Sequence, residues 1–320
     1  MRLLAVLKPV SRPAARLFSL SLLFTLAGCG ASLTGTPAWR AGHERVLIDT
    51  VPFFAQEEYQ CGPAALAMLL AWSGVDISPD QLTPMVYSPS LEGSLQPAMV
   101  AAARRHGRIA HTLHGPENLM VELEAGHPVL VLQNLGLSWF PRWHYAVVTG
   151  YDRGSDSFYL HSGVQAMQEF SARLFARTWA RSGYWGLLVL PPGRLPATAT
   201  EKSFSSAAAG LERTGRLQAA IEAYEAALRR WPTSFVLRMG LGNSLYALGD
   251  MEGAEKAFRG ASVLRPDNGE ALNNLAVVLA ATGRREEALS VIERAIGVGG
   301  AFQQEFIKTR QEILAGENIE

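Results

Sequence analysis

Between residues 46 and 190, apolar runs of helical composition give way to stretches in which apolar and polar residues alternate. The run that ends at Trp72 is rich in Ala, Leu and Met, which favours a helix. Residues Trp143–Tyr151 alternate and precede, after a turn, Phe158–Leu160, which predicts a hairpin. The other predicted helices are a short one opening at Ser78-Pro79, Leu95–His106, Pro116–Ala125 and Ala172–Trp179, and the other predicted strands are Val46–Ile48, Ile109–Leu113, Val129–Gln133 and Trp185–Leu190. Helices followed by antiparallel strands predict an α+β domain over residues 46–190.

The last third of the chain repeats with a fixed period. Gly215, Gly249 and Gly283 are 34 residues apart. The same spacing relates Ala220, Ala254 and Ala288, then Tyr224, Phe258 and Ile292, then Ala227, Ala261 and Ala295, and finally Pro232 and Pro266. Glycine at the turn, alanine where helices approach closely and proline closing the unit are typical of tetratricopeptide repeats, whereas an ordinary helical bundle has no reason to keep this register.

We therefore predict an all-α solenoid of three repeats over residues 203–300. The predicted helix pairs are Ser203–Thr214 with Leu217–Arg230, Phe235–Leu248 with Met251–Leu264, and Gly269–Ala281 with Arg285–Ile296. A helix at Phe302–Leu314, within residues 301–320, caps the array. Residues 191–202 are rich in proline and threonine, which predicts a linker between the two domains. Such arrays usually bind proteins or peptides, although this one could be only a rigid spacer.

The N-terminus has the features of an export signal. Residues 1–16 contain basic but no acidic side chains, and an apolar core follows at Leu17–Leu26. The sequence Leu26-Ala27-Gly28-Cys29 resembles the lipobox of bacterial lipoproteins. The resemblance implies that residues 1–28 are removed and that Cys29 carries a lipid anchor in the cell envelope. The alternatives are an ordinary signal peptide or an uncleaved anchor.

Gly30 follows the cysteine where an Asp would resemble an inner-membrane retention signal. For a Gram-negative source, the periplasmic face of the outer membrane is therefore the expected location. Residues 29–45 are small, polar and unpatterned, which predicts a tether between the anchor and the first domain.

Composition and charge exclude several other classes of function. The formal net charge is zero, with 48% hydrophobic and 18% charged residues, as in a globular protein with no basic surface for nucleic acid. His111 and His114 fall on opposite sides of a predicted strand, and no acidic or cysteine cluster joins them. No glycine arrangement typical of a phosphate-binding loop follows a strand. We expect neither a metal nor a cofactor.

Cys61 is the candidate nucleophile. It stands in a Cys61-Gly62-Pro63 sequence at the predicted start of a helix, where unpaired amide groups and the helix dipole favour a thiolate. The alternative is that Cys61 is a small buried apolar residue. His144 opens a predicted strand and can serve as the proton acceptor that a cysteine nucleophile needs, or can simply pack at the strand end.

Two sequence blocks resemble the papain-like cysteine peptidases that remove double-glycine leader peptides from bacteriocin precursors. The first is Gln56 followed by Cys61-Gly62-Pro63-Ala64, and the second runs from His144 through Tyr145-Ala146-Val147-Val148-Thr149-Gly150-Tyr151 to Asp152. The resemblance implies a papain-like α+β fold in which Cys61 is the nucleophile and His144 the general base and acid. It also implies that the Gln56 amide, rather than Gln60, meets the developing oxyanion together with the backbone N–H of Cys61.

The chain departs from that family at the third catalytic position. The family has an Asp on the second hairpin strand, where this chain has Tyr159-Leu160-His161-Ser162-Gly163. Ser162 is nearest the expected position and can accept a hydrogen bond from the imidazole, but it carries no charge. Asp152 is eight residues from His144, too far along a straight strand, and is predicted to be a turn residue.

These patterns predict thiol-dependent hydrolysis of peptide bonds by Cys61 and His144, with the repeats binding a protein partner. One alternative is a degenerate site that only binds peptides. Another is a transferase or amidase that uses the same cysteine chemistry on cell-wall or small peptide substrates.

Overall fold

The computed structural model describes residues 36–56 and 60–316 of the 320-residue chain. The predicted signal peptide 1–28, Cys29 and the tether up to residue 35 lie outside the described residues, as do residues 57–59. The described residues form an α+β domain followed by an array of helices.

An antiparallel sheet forms one layer of the α+β domain. Its strands are β1 (Arg45–Leu47), β4 (Ile109–His114), β5 (Val129–Asn134), β6 (Trp143–Asp152), β7 (Ser157–Ser162), β8 (Gln165–Ser171) and β9 (Trp185–Leu190). They lie in the order β4-β9-β5-β6-β7-β8, and β1 also pairs with β6. β5 pairs with the first part of β6, and β1 pairs with the last part, where Gly150 lets the two backbones approach. A separate small hairpin consists of β2 (Tyr87–Ser88) and β3 (Gly93–Ser94), joined through a 3-10 turn at Pro89–Leu91.

Helices cover the sheet, and one of them is central. They are α1 (Pro37–Ala41), α2 (Cys61–Trp72), α3 (Pro79–Val86), α4 (Gln96–Arg105), α5 (Pro116–Glu124) and α6 (Ala172–Ala180). Helix α2 is apolar on all sides, and its residues from Gly62 to Leu70 are buried. Such a helix is stable only inside a protein. It packs against β6, so the first residue of α2 is held beside the sheet.

The predicted helices and strands of this domain are confirmed to within a few residues, and the exceptions have a physical reason. β8 and the β2–β3 hairpin were not predicted. The sequence of β8, Gln165–Ser171, is mostly polar, and its side chains are exposed or half-buried. Its pairing with β7 is therefore a tertiary contact rather than a local preference.

The predicted tether over residues 29–45 is wrong at its end. Residues Pro37–Ala41 form helix α1, and Trp39 is only 6% exposed, packed against the rings of Tyr151 and Phe158. Residues 42–44 are also held, because Arg153 donates to the Gly42 carbonyl and its backbone N–H to the Glu44 carbonyl. The fold therefore begins before β1, and the buried Trp39 side chain anchors its first helix.

The segment 191–202 is not a free linker either. The Glu122 carboxylate, fully buried, accepts hydrogen bonds from the backbone N–H groups of Ala197 and Thr198 and from the Thr198 hydroxyl. It also contacts His127 Nδ1 at 2.6 Å. These contacts hold the pKa of Glu122 below its ordinary value in spite of its burial. Proline and threonine composition suggested flexibility, but the segment is fixed by a carboxylate 75 residues earlier.

Helices continue to the end of the described chain. They are α7 (Glu201–Arg213), α8 (Leu217–Arg230), α9 (Phe235–Leu248), α10 (Met251–Leu264), α11 (Gly269–Ala281), α12 (Arg285–Val298) and α13 (Gln303–Ala315). Each helix pair predicted from the 34-residue period is present, with Gly215, Gly249 and Gly283 at positive φ in the turns. Charged side chains link the second and third pairs, since Arg284 bridges Glu255 and Glu287.

The first helix pair shares its core with the α+β domain. Phe204, Leu211 and Tyr224 belong to the same buried apolar cluster as the sheet and α2, and α7 packs on β4. Hydrogen bonds cross the boundary as well, from Arg216 Nε to the Arg105 carbonyl and from Arg230 to the Pro196 carbonyl. Within the described residues, no helix combines the length and apolarity needed to cross a membrane.

We predict that Glu122→Gln lowers the free energy of unfolding by about 2–3 kcal/mol, because a glutamine loses the charge and one acceptor for these donors. The folded-state pKa of Glu122 is lowered, so its contribution is complete at neutral pH and is lost as the pH falls through that folded-state pKa. Urea denaturation at neutral and acidic pH measures both effects. Glu117→Gln, on an exposed residue of the same helix, is the control, and an equal change in both variants would contradict the prediction.

Candidate active site

The first residue of α2 lies in a large, open cavity. Cys61 is half-buried and lines a cavity of about 1000 Å³ together with Gln56 and His144. The cysteine is placed by helix α2, the histidine by the start of β6, and the glutamine by the loop that follows Val51. The three residues predicted for nucleophile, base and oxyanion donor are thus brought to one place.

His144 is fixed by one hydrogen bond to the next strand. Its Nε2 lies 2.9 Å from the Ser162 hydroxyl, at the end of β7. This leaves Nδ1 as the ring nitrogen available for proton transfer with a thiol. Ser162 therefore occupies the position where the sequence resemblance implied a carboxylate, and it can orient the ring but not compensate a positive charge.

Gln56 is held by three hydrogen bonds. Its Nε2 donates to the Tyr145 carbonyl at 3.1 Å, and its Oε1 accepts from the Gly163 N–H at 2.8 Å. Its own backbone N–H donates to the Gly163 carbonyl at 2.9 Å. An amide NH₂ has two hydrogens, so after the contact with Tyr145 one of them can meet an oxyanion. Gln60 is instead the residue before α2, and its side chain makes no capping bond.

Burial controls the protonation of the site. It lowers the pKa of His144 from its ordinary value of 6.5 to about 4. It raises the pKa of the Cys61 thiol, and hydrogen bonds from the backbone at Tyr145, Gly62 and Cys61 oppose this only in part. Desolvation therefore outweighs the helix N-terminus, which we expected to favour a thiolate. It shifts both groups toward their neutral forms, a thiol and an imidazole.

Two further residues support the site and were not singled out from the sequence. The Tyr145 hydroxyl donates to the Ser94 carbonyl at 3.0 Å, which ties the β2–β3 hairpin to β6. Gly62 makes this possible, since a Cβ there would lie 2.4 Å from Ser94 Oγ. Gly62 directly follows Cys61 and Tyr145 directly follows His144 in the sequence. These neighbouring positions were the sequence feature from which a supporting role could have been predicted.

The other candidates lie elsewhere. Asp152 is at the far end of β6, and its carboxylate accepts from the Gly154 and Ser155 N–H groups, as predicted for a turn residue. His111 is buried and His114 is exposed, so the two do not share a face. No group of three or more His, Cys, Asp or Glu within the described ranges could hold a metal ion.

An α+β domain with a cysteine at the start of its central helix and a histidine on the adjoining strand has a papain-like fold. Residues 48–186 match the Peptidase_C39 like family, and residues 207–264 and 239–304 match the tetratricopeptide repeat. The α+β domain is therefore similar to C39-like peptidases, and the helical array is similar to tetratricopeptide repeats. The predicted fold class, a papain-like α+β domain before an all-α repeat array, is confirmed.

Individual relatives match only parts of the chain. Protein FlbA of Caulobacter vibrioides is 36% identical over 86 residues, which span 27% of this chain and 14% of that protein. A structure described as a C39-like peptidase from Bacillus anthracis is similar, with 17% identity, a TM-score of 0.39, and coverage of 46% of this chain and 98% of the other. A double glycine motif protease from an AMS/PCAT transporter, in complex with the leader peptide, has 22% identity, a TM-score of 0.36, and coverage of 47% and 94%.

We predict that Ser162→Asp converts the neutral pair into a thiolate–imidazolium pair. A carboxylate beside Nε2 raises the pKa of His144 and thereby lowers that of Cys61. In the unmodified protein, the rate of Cys61 alkylation by iodoacetamide should reach half its maximum only at a pH above the ordinary thiol pKa of 9.0, because only the thiolate reacts. In the variant it should rise at lower pH. Ser171→Asp, at an exposed helix N-cap, is the matched control.

Alkylation that already titrates near neutral pH in the unmodified protein would contradict the first part of this prediction. An unchanged titration in Ser162→Asp would contradict the second.

Proposed function

We propose that the C39-like domain hydrolyses peptide bonds through Cys61, and that the repeat array binds a protein partner. The observation that supports this best is the convergence of Cys61, His144 and Gln56 on one cavity, with His144 oriented by Ser162. A cysteine without such neighbours would not indicate catalysis. A cysteine that shares a cavity with an oriented histidine and a fixed amide donor has the parts that acyl transfer requires.

The proposed reaction begins with the neutral pair. His144 Nδ1 takes the thiol proton as Cys61 Sγ attacks the carbonyl carbon, and the carbonyl oxygen becomes an oxyanion. The second hydrogen of the Gln56 amide and the backbone N–H of Cys61 stabilise that charge. His144 then gives its proton to the departing amine, which leaves a thioester on Cys61.

Water completes the cycle. His144 accepts a proton from the water that attacks the thioester carbon, and returns it to the sulfur as the carboxylic acid product departs. Ser162 serves as a positioning residue, since it fixes the ring plane through Nε2. The transient imidazolium has no carboxylate partner at this position, so we expect slow turnover compared with a site that has one.

A second function, peptide binding without catalysis, is favoured by one specific observation. Burial opposes both charged forms of the pair, and Ser162 supplies no compensating charge. A transferase or amidase would use the same steps with an amine in place of water, or with a different amide as substrate.

We also propose that the protein acts at the cell envelope through a lipid on Cys29. The support is the lipobox-like sequence, with the basic and apolar segments that precede it. A substrate or partner would then be an exported peptide or protein, and the double-glycine leader peptides of bacteriocin precursors are one candidate class.

We predict that the intact protein cleaves members of a random peptide library and that Cys61→Ala abolishes cleavage while leaving peptide binding intact. Mass spectrometry of the products identifies the bond, and fluorescence anisotropy with the same peptides measures binding. Gln56→Glu should lower kcat by about 100-fold or more, because a carboxylate cannot donate to the oxyanion but can still accept from Gly163.

The outcomes separate the alternatives. Binding by both the unmodified protein and Cys61→Ala, without any cleavage, identifies a peptide-binding protein. Products in which an added amine replaces water identify a transferase. Cleavage that survives Cys61→Ala overturns the proposal.

A further inference from the structure

Three segments around the mouth of the cavity expose their apolar side chains to solvent. In the described part of the α+β domain, the large apolar residues that are at least 50% exposed all lie in these segments. They are Leu91 and Leu95 near the β2–β3 hairpin, Leu135, Leu137, Trp139, Phe140 and Trp143 between β5 and β6, and Val164 after β7. Clustered exposure of this kind marks a surface that another body covers.

Residues 135–143, which we name the aromatic hairpin, contribute most of this surface. Trp139 is 81% exposed and Phe140 is 71% exposed, the highest values for aromatic residues in the described ranges. Leu137 and Phe140 exchange backbone hydrogen bonds of 3.1 Å, which places Ser138 and Trp139 at the tip of a tight turn. The side chains at the tip point away from the protein and gain nothing from its core.

Hydrogen bonds at the base of the aromatic hairpin fix its conformation. Asn134 Oδ1 accepts from the Gly136 and Arg142 N–H groups, both at 2.9 Å. Arg181 donates to the Asn134 and Gly136 carbonyls. The backbone N–H of Leu135 donates to the Arg142 carbonyl at 2.9 Å. The exposed aromatic side chains are therefore part of a preformed element rather than of a loop that could fold back over them.

We propose that the aromatic hairpin inserts into the interfacial region of a lipid bilayer. Tryptophan, phenylalanine and leucine together with a basic residue are the side chains that favour this region, and residues 135–143 contain Arg142 and no acidic residue. Unpaired backbone groups are costly in a bilayer, and the cross-hairpin bonds pair the backbone groups of Leu137 with those of Phe140 below the tip.

A polypeptide in the cavity is the alternative occupant, and the structure favours the bilayer over it. Leu91, Leu95, Phe140 and Trp143 line the cavity, but Leu135, Leu137 and Trp139 do not. A peptide seated between Cys61 and His144 would leave those three side chains exposed, whereas a bilayer surface receives the tip of the hairpin.

The predicted lipid anchor does not account for the hairpin. The chain enters the fold through α1 and β1, and β1 pairs with the Asp152 end of β6, whereas the hairpin lies at the Trp143 end. A strand of this length is about 30 Å long. An anchor and the hairpin would therefore hold the domain at two separate points and turn the cavity mouth toward the membrane.

Vesicle binding tests the proposal without any contribution from the anchor. A chain that begins at Thr36 keeps every described residue and removes Cys29. It should co-sediment with vesicles of phosphatidylethanolamine and phosphatidylglycerol, also at high salt, because apolar insertion is not screened. The double substitution Trp139→Ser and Phe140→Ser should weaken partitioning by about tenfold or more.

The matched control replaces two exposed apolar residues of the repeat array, Leu248→Ser and Val263→Ser, which are 51% and 73% exposed. It should bind vesicles as the unmodified chain does, and thermal unfolding should confirm that both variants fold. Absence of vesicle binding, or equal binding by the hairpin variant, overturns the proposal. Hairpin-dependent retention on an immobilised leucine- and phenylalanine-rich peptide, without vesicle binding, assigns the hairpin to a polypeptide instead and also overturns it.

Discussion

Helix α2 has no polar face, and the arrangement of the α+β domain follows from the need to keep it out of water. Its residues from Ala64 to Leu70 are completely inaccessible, enclosed by the sheet on one side and by other helices on the other. Burial on this scale fixes the helix along its whole length and therefore fixes the atom at its end. Cys61 is located by the hydrophobic effect acting on the residues that follow it.

The same burial shifts the pKa values of the two ionisable groups in the site, Cys61 and His144. A dipole at a helix end is worth only a fraction of what desolvation of a thiolate costs, unless an opposite charge is nearby. A carboxylate at position 162 would stabilise a positively charged His144, and that charge would in turn stabilise the thiolate. Ser162 offers a neutral hydroxyl instead. The geometry and the electrostatics that the proposed acyl transfer requires are therefore separable, and the site supplies the geometry more completely than the electrostatics.

Most helices and strands could be predicted from the sequence, because the spacing of apolar residues indicates local structure and a repeat is visible as a fixed period. The composition of α2, the alternation of β6 and the 34-residue spacing of Gly215, Gly249 and Gly283 each predicted the element that is present. The grouping of Gln56, Cys61 and His144 came from motif resemblance, and the structure places them together. The direction in which the Cys61 pKa moves depends on how deeply the thiol is enclosed, which a helix-start pattern does not contain.

Two of the errors come from contacts between residues that are far apart in the sequence. Trp39 reads as one aromatic in a polar stretch, and its role is visible only beside Tyr151 and Phe158. Residues 191–202 read as a linker because Glu122, which binds them, is far away in sequence. β8 and the β2–β3 hairpin have a different cause, because each pairs with a strand close by in the sequence but lacks the alternation of apolar and polar residues that predicts a strand.

Because the α+β domain and the first helix pair share one apolar core, the unit that is a domain in sequence comparison differs from the unit that is a domain in packing. Family boundaries in the sequence fall near residue 190, but the continuous apolar core runs on to Leu237 in α9. A cut at the family boundary would therefore pass through a folding unit and uncover the face of β4 on which α7 packs. Recombination or engineering that exchanges the repeat array must keep the first repeat with the α+β domain, so the interchangeable part begins later than the sequence suggests.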